Sequence, residues 1–426
     1  MDLILRHANL PDGRCDVDIA IADGRIVAVA HALDAQAAQE LDVRGRLVSP
    51  PFVDAHFHMD ATLSLGLPRR NQSGTLLEGI ALWGELKPHL TQEALVQRAL
   101  AYCDMAVAQG LLAIRSHVDV CDDRLLAVDA LLDVQRRVAP YLDLQLVAFP
   151  QDGFYRSANA ETNLLRALDR GVQVVGGIPH FERTMADGAA SVRRLCEIAA
   201  ERGLLVDMHC DESDDPLSRH IETLAAETHR LGLHGRVAGS HLTSMHSMDN
   251  YYVSKLLPLI AESGVAAIAN PLINITLQGR HDSYPKRRGM TRAPELIGAG
   301  VTVAFGHDCV MDPWYSFGSA DMLDVAHMAI HVAQMTSLDG IAHAYAAVTE
   351  NPSKILHLDG YGIAPGCRAD LVVLQAADPF EAIRLKAARL LVLRAGHVIA
   401  RSAPRETQLS LPGREAGAMS LEFPPR

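Results

Sequence analysis

Apolar residues along this chain gather into short runs that each end on a polar residue, and the design recurs eight times. Leu47 to Ala55 runs into His56, and the stretch from Gly110 runs into His117. Leu144 to Pro150 runs into Gln151, Val172 to Pro179 into His180, and Leu204 to Met208 into His209. Val237 to Ser240 runs into His241, Val265 to Ala269 into Asn270, and Val301 to Gly306 into His307-Asp308. From His117 onward the terminal polar residues fall 29 to 38 residues apart, near the roughly 30 residues of one strand–helix unit. Helix-period stretches lie between, such as Ala189 to Gly203 with Val192, Leu195, Ile198 and Ala199 on one face.

Near-continuous apolar runs alternating with helices are the pattern of parallel strands buried on both faces. An open doubly wound sheet gives similar local signals. The polar residues at the carboxyl ends of the strands favour an α/β fold of the (β/α)8 TIM-like barrel kind, where catalytic residues from different strands converge on that face. The two ends differ in texture. Val17 to Ile21 and Ile26 to Val29 flank an Asp23-Gly24 turn and predict a hairpin. From about Pro352 a Gly- and Pro-punctuated loop leads to strands at Leu371 to Leu374 and Leu390 to Ile399.

Composition narrows the function. The 426 residues carry 39 basic and 51 acidic side chains, a net charge of −12, which argues against nucleic acid, whose phosphates are bound by Lys and Arg. No apolar run approaches the roughly 18 residues of a membrane helix, and Met1-Asp2-Leu3 begins no signal peptide. No membrane association and a cytoplasmic address are therefore expected. The seven Cys are scattered without a C-x-x-C pair, so neither a disulfide framework nor a thiolate zinc site is indicated. The 20 His are the unusual entry in the composition, because imidazole is the commonest metal ligand.

His56-Phe57-His58 ends the first barrel strand, and residues two apart on a strand share a face. An H-x-H is expected roughly once by chance among 20 His in 426 positions, so its place in the barrel carries the signal. His209 and Asp308, at the ends of later strands, would complete a set of nitrogen and oxygen donors suited to one divalent ion, Zn or Fe.

Several stretches resemble the amidohydrolase superfamily, and more closely its bacterial cytosine deaminase branch: Pro50 to Asp60, His209-Cys210-Asp211-Glu212, Ser240-His241-Leu242-Thr243 and Phe305-Gly306-His307-Asp308. Asn71-Gln72-Ser73-Gly74-Thr75, Phe149-Pro150-Gln151, Ile178-Pro179-His180-Phe181-Glu182, Leu277-Gln278-Gly279-Arg280, Tyr284 to Gly289 and Asp312-Pro313-Trp314-Tyr315 add to it. The similarity spans nearly the whole chain and is densest between about 50 and 330. It implies a barrel over 50–350 and one small β-sandwich built from 1–49 and 351–426. It also implies hydrolytic deamination of a free pyrimidine base by attack of metal-bound hydroxide on C4, with His56, His58, His209 and Asp308 as ligands. Glu212 would shuttle a proton to N3, His241 would hydrogen-bond the attacking water, and Asp308 would also relay the water's proton. Gln151 would read the O2 and N3 side of the base, and Trp314 would wall the pocket. A homo-oligomer is compatible with family habit.

Strand 4, Gly176-Gly177-Ile178-Pro179-His180, lacks the bridging Lys or Glu of binuclear members, so a single ion is the simpler expectation, with His180 as the one candidate for a second. A departure stands at Cys309, where the branch carries a second Asp facing substrate. A thiol there is less polar, and the exchange predicts tolerance of a C5 methyl group, hence 5-methylcytosine as a substrate beside cytosine. Isocytosine, creatinine or a hydantoin remain rival substrates, and a catalytically silent scaffold would be expected to have lost a ligand or the acid. The zinc deaminases of polynucleotides need a P-C-x-x-C that is absent after His180-Phe181-Glu182. The basic cluster Lys286-Arg287-Arg288 is expected to be solvated, within a segment, 274–292, long enough to act as a lid.

Overall fold

The computed structural model describes residues 1–414 and 416–419. Residue 415 and residues 420–426 of the expected second sandwich segment lie outside the described residues. Leu3–Ala8 (β1), Val17–Ala22 (β2), Arg25–Ala30 (β3) and Gln39–Asp42 (β4) form one sheet in the order β3-β2-β1-β4. Its hairpin turns at Asp23-Gly24, both at positive φ, 49° and 72°, the conformation a two-residue hairpin between right-twisted strands requires. Val48–Ser49 (β5) then leaves this sheet and pairs with a strand from the far end of the chain.

Among the described residues, eight parallel strands follow in chain order: Phe52–Phe57 (β6), Leu111–Asp119 (β7), Asp143–Phe149 (β8), Val174–Gly177 (β9), Leu205–Cys210 (β10), Val237–His241 (β11), Ala266–Ala269 (β12) and Val303–Phe305 (β13). All eight apolar runs form strands, and each strand pairs with the next. The sheet closes on itself between β13 and β6. There the amide of Asp308 donates to the carbonyl of His56 at 2.9 Å, and the amide of His58 donates to the carbonyl of Asp308 at 3.0 Å. Backbone pairing at this seam thus fixes three of the expected metal ligands beside one another. Helices cover the outside. Met185–Arg202 buries the expected Val192, Leu195, Ile198 and Ala199 face, is capped by Thr184, and stops at Gly203 with φ 68°.

At the amino end of the barrel, Ile355 and Leu356 pack with Val53, Ala113, Ile268 and Ala304 and plug the lumen. Leu371–Leu374 (β14), Arg389–Arg394 (β15) and His397–Arg401 (β16) form the second outer sheet with β5. The run expected as one strand from Leu390 to Ile399 is a hairpin, broken at Ala395-Gly396 by φ values of 47° and 78°. Leu5, Ile19 and Ile21 of one sheet and Leu371, Val373 and Leu393 of the other share a core, so the two sheets pack as a sandwich. Among the described residues, no helix is long and apolar enough to cross a membrane.

Candidate metal centre and pocket

Strand ends deliver the site. His56 and His58 come from β6, His117 from β7, His209 from β10, His241 from β11, and Asp308 follows β13; all six are at least 95% buried. His241 and Asp308 adopt φ of 71° and 70°, left-handed backbone that a non-glycine residue accepts only at some cost. The bend ends each strand and lies at the functional face.

Two overlapping clusters result. Ligand atoms of His56, His58, His117 and His209 lie within 4.8 Å of one another, and those of His56, His241 and Asp308 do likewise. Asp308 Oδ1 is 3.6 Å from His56 Nε2 and 3.5 Å from His58 Nε2, so it reaches both imidazoles of the H-x-H pair. The expected ligand His209 groups with His117 instead of with Asp308. His58 Nε2 and His209 Nε2 are only 2.9 Å apart; metal–nitrogen bonds of about 2.0–2.1 Å would set neighbouring donors roughly 3 Å apart. Burial, and then the charges of neighbouring imidazoles, hold His56, His58 and His209 well below the usual imidazole range, in the neutral form that binds metals. Both ring nitrogens of His56 and Nδ1 of His209 are buried without a hydrogen-bond partner. Each such orphan costs about 1–3 kcal/mol, and an ion would remove that cost at the one nitrogen of each ring that it binds. The donors present therefore fit a divalent ion such as Zn or Fe.

Beside the cluster lies a cavity of about 200 Å³. Gln151, His180, Glu212, His241, Asp308, Cys309 and Trp314 all line it. Glu212 is 8% exposed, and burial pushes its carboxyl up to about 8. Its Oε1 is 3.5 Å from His241 Nδ1. That same nitrogen faces the Asn274 amide at 3.0 Å; with Asn274 donating, the neutral ring carries its proton on Nε2. Burial, then the adjacent Glu212 charge, pushes Asp308 up as well. Cys309 is buried, and burial followed by the charges of Asp308 and Asp312 keeps its thiol protonated. The half-buried His180 joins neither metal cluster among the described residues; burial lowers it to about 4.

Several walls of the pocket carry no local sequence signal. Leu76–Leu86 (α1) contributes Leu76, Leu77 and Ile80. Thr75 caps it, and Asn71 Nδ2 donates to the Pro313 carbonyl at 3.1 Å, so the Asn71 to Thr75 motif ties α1 to the Trp314 segment. Trp314 lies against Gly79, where a Cβ would stand 2.3 Å from the indole; only glycine permits that approach. Phe149 stacks on His209 at 4.1 Å and 15°. Lys87 Nζ meets Asp119 at 2.7 Å and Asp152 at 2.5 Å, pinning the turn that carries Gln151. The basic cluster at 286–288 is less free than its composition implies. Arg287 pairs with Asp282 and donates to the Asp214 carbonyl and Ser247 Oγ, bracing the segment that follows Ile273 and Leu277 on the cavity wall.

Comparison with known proteins agrees with this architecture. A solved 5-methylcytosine deaminase from Klebsiella pneumoniae, liganded with 5-fluorocytosine, superposes with a TM-score of 0.93 at 41% identity, covering 96% of this chain and 100% of that one. N-isopropylammelide isopropyl amidohydrolase of Pseudomonas sp. strain ADP is 28% identical over 93% of this chain and 97% of its own length. Pterin deaminase of Rhizobium rhizogenes is 30% identical over 93% and 91%. The model of the amidohydrolase family matches residues 39–401, and the chain belongs to that family of carbon–nitrogen hydrolases.

Proposed function

We propose that the chain is a metal-dependent hydrolytic deaminase of a free pyrimidine base, converting cytosine or 5-methylcytosine to uracil or thymine with release of ammonia. The cavity carries this reading. Its volume of about 200 Å³ lies below the roughly 300–1,000 Å³ of sites for drug-sized ligands and suits a single ring. Among the described residues no Lys or Arg lines it, which disfavours a nucleotide whose phosphate would need a cation. The likeness to a 5-methylcytosine deaminase supports the same substrate class.

An ion bound by the imidazoles and Asp308 supplies Lewis acidity and lowers the pKa of water toward 7. The side chains of the chain manage position and protons. Glu212, raised by burial to about 8, is protonated at neutral pH and donates to ring N3. His241 hydrogen-bonds the attacking water, and Asp308, which a bound cation would keep ionised against its burial, takes one of its protons and passes it to the departing amino group. The second water proton returns to Glu212 as the C4 carbonyl forms. Ammonia leaves and both carboxyl groups regain their starting states. Gln151 reads the O2 and N3 edge, and Cys309 leaves room for a C5 methyl group.

Amine release from the metal-loaded enzyme tests this over cytosine, 5-methylcytosine, isocytosine, creatinine, pterin and N-isopropylammelide. At least tenfold higher kcat/KM for one of the first two is expected. Turnover of any of the others with none of cytosine or 5-methylcytosine would overturn the substrate assignment.

A further inference from the structure

Gln151 follows β8 in the cavity wall, and among the described residues its side-chain amide bonds to no other group of the chain. Its direction is therefore set by the backbone of the turn that carries it. That turn closes tightly: the Gln151 amide donates to the Phe149 carbonyl and the Gly153 amide to the Pro150 carbonyl, each at 2.9 Å. Lys87 holds one flank through Asp152. A carboxylate holds the other.

Glu182 follows the short turn Pro179–Phe181 beyond β9, which places His180 and Phe181 in the cavity wall. Its side chain is buried and reaches back to the loop after β8. The Phe154 amide donates to Oε1 at 2.5 Å, and the Tyr155 amide donates to Oε1 at 3.1 Å and to Oε2 at 3.3 Å. Burial pushes the carboxyl up, while the amides of Tyr155, Phe154 and Arg156 oppose that shift. Successive amides around one carboxylate form an anion-binding nest, and hydrogen bonds to a charged acceptor are about twice as strong as neutral ones. Arg156 strengthens the joint from the opposite direction. Its Nη1 donates to the Phe181 carbonyl at 2.9 Å, and its guanidinium lies 4.1 Å from the centre of the Phe181 ring. A carboxylate is expensive to bury, and with main-chain amides as its partners it orders the loop that owns them.

We propose that Glu182 is a positioning residue, which binds the backbone at 154–155 and thereby sets Gln151 against the substrate. This rests on the reading of Gln151 as the group that meets the O2 and N3 edge of a pyrimidine base. A contact made alike in the bound and the reacting state governs KM and leaves kcat nearly unchanged.

A double-mutant cycle on the zinc-loaded full-length enzyme tests this, with the better of cytosine and 5-methylcytosine as substrate. Glu182→Ala is expected to raise KM about tenfold while kcat stays within about threefold of the parent. In a Gln151→Ala background the same substitution should change KM by less than about twofold, because the side chain it positions is gone. Equal rises in both backgrounds would overturn the proposal, as would a loss confined to kcat. A parent that turns over neither base would overturn the substrate reading and this inference together, whereas an active parent with additive effects overturns this inference alone. Should Glu182→Ala not fold by circular dichroism, Glu182→Gln enters the same cycle, since it keeps an oxygen for the amides without the charge. Its KM rise of about threefold is expected to vanish in the Gln151→Ala background, and a rise that persists there would overturn the proposal.

Discussion

Two layers of the same barrel lumen make opposite use of buried polar groups. Arg115 and His117 stand two residues apart on β7, and Asp207 and His209 two apart on β10, so each strand contributes one residue to each layer. In the lower layer every bond is made. Arg115 donates to Gln145 at 2.7 Å, to Asp207 at 3.0 Å and to the Ile355 carbonyl at 2.8 Å, and Ser240 donates to Asp207 at 2.7 Å. Burial opposes the charge of Asp207, yet His117, Arg115 and Ser240 outweigh it and hold the carboxyl below its usual range. In the upper layer His56 and His117 are equally buried and leave both ring nitrogens without a hydrogen-bond partner, and His209 leaves Nδ1 so. Burial alone does not separate scaffold from site; satisfaction does. In these two layers, the groups whose bonds close within the chain hold the barrel, and the imidazoles left open are those of the candidate metal centre.

Removing the metal should break the upper layer without touching the lower. Dialysis against a chelator is expected to lower amine release at least 10³-fold, with recovery on adding Zn or Fe. Unfolding should remain one cooperative transition, shifted down by the stabilisation a tight ligand confers, about 4 kcal/mol at a thousandfold excess over Kd. Full activity in metal-free protein would remove the reason for the orphaned imidazoles.

Glu212 comes next. Glu212→Gln removes the proton donor and is expected to lower kcat by about 10²–10⁴ with the fold unchanged. The sign of the pH dependence follows from burial. The carboxyl is raised to about 8, so its acid form is present below that pH and lost above it. The kcat profile of the parent should fall on its alkaline side near pH 8, and Glu212→Gln should lack that limb. A flat profile between pH 7 and 9 would show that another group is the donor.

The lower layer answers to stability. Arg115→Met strands Asp207 as an uncompensated buried charge, expected to cost about 3–5 kcal/mol by denaturant unfolding. The double variant Arg115→Met with Asp207→Leu should recover much of that loss, because it removes both charges. A single variant within about 1 kcal/mol of the parent would mean that the closed layer is not what holds the barrel.

The contrast between layers also explains what could be read from the chain beforehand. The eight strands were legible because a parallel strand buried on both faces is a continuous apolar run; the H-x-H pair with His209 and Asp308 at later strand ends suggested a donor set, and the family resemblance added His241. His117 ends a run too, yet nothing local distinguishes a ring aimed at its neighbours' rings from any other strand-end histidine. That depends on the stagger of one strand against the next, which pairing across the barrel sets. The separation of Asp308 from the His117–His209 group has the same origin. The α1 wall was illegible for a different reason: Leu76, Leu77 and Ile80 read as an ordinary amphipathic helix until Gly79 lets Trp314 approach. The split at Gly396 was hidden because apolar residues continue on both sides of the turn.

The smallest expected effect lies at the edge of the upper layer, at Cys309. Its thiol is 3% exposed and lies 3.6 Å from Asp308 Oδ1, on the cavity wall. A methyl group placed against an uncharged wall gains about 0.8 kcal/mol, roughly fourfold in rate. Against a carboxylate it gains nothing and displaces water that the charge prefers to keep. Cys309→Asp should therefore lower the ratio of kcat/KM for 5-methylcytosine over cytosine by about fourfold or more, while the zinc content stays unchanged. The two bases differ only in that methyl group, so the ratio cancels any general loss of activity and reports on the wall alone. An unchanged ratio would place the C5 position elsewhere in the cavity, and Phe149, stacked on His209, would become the wall to test.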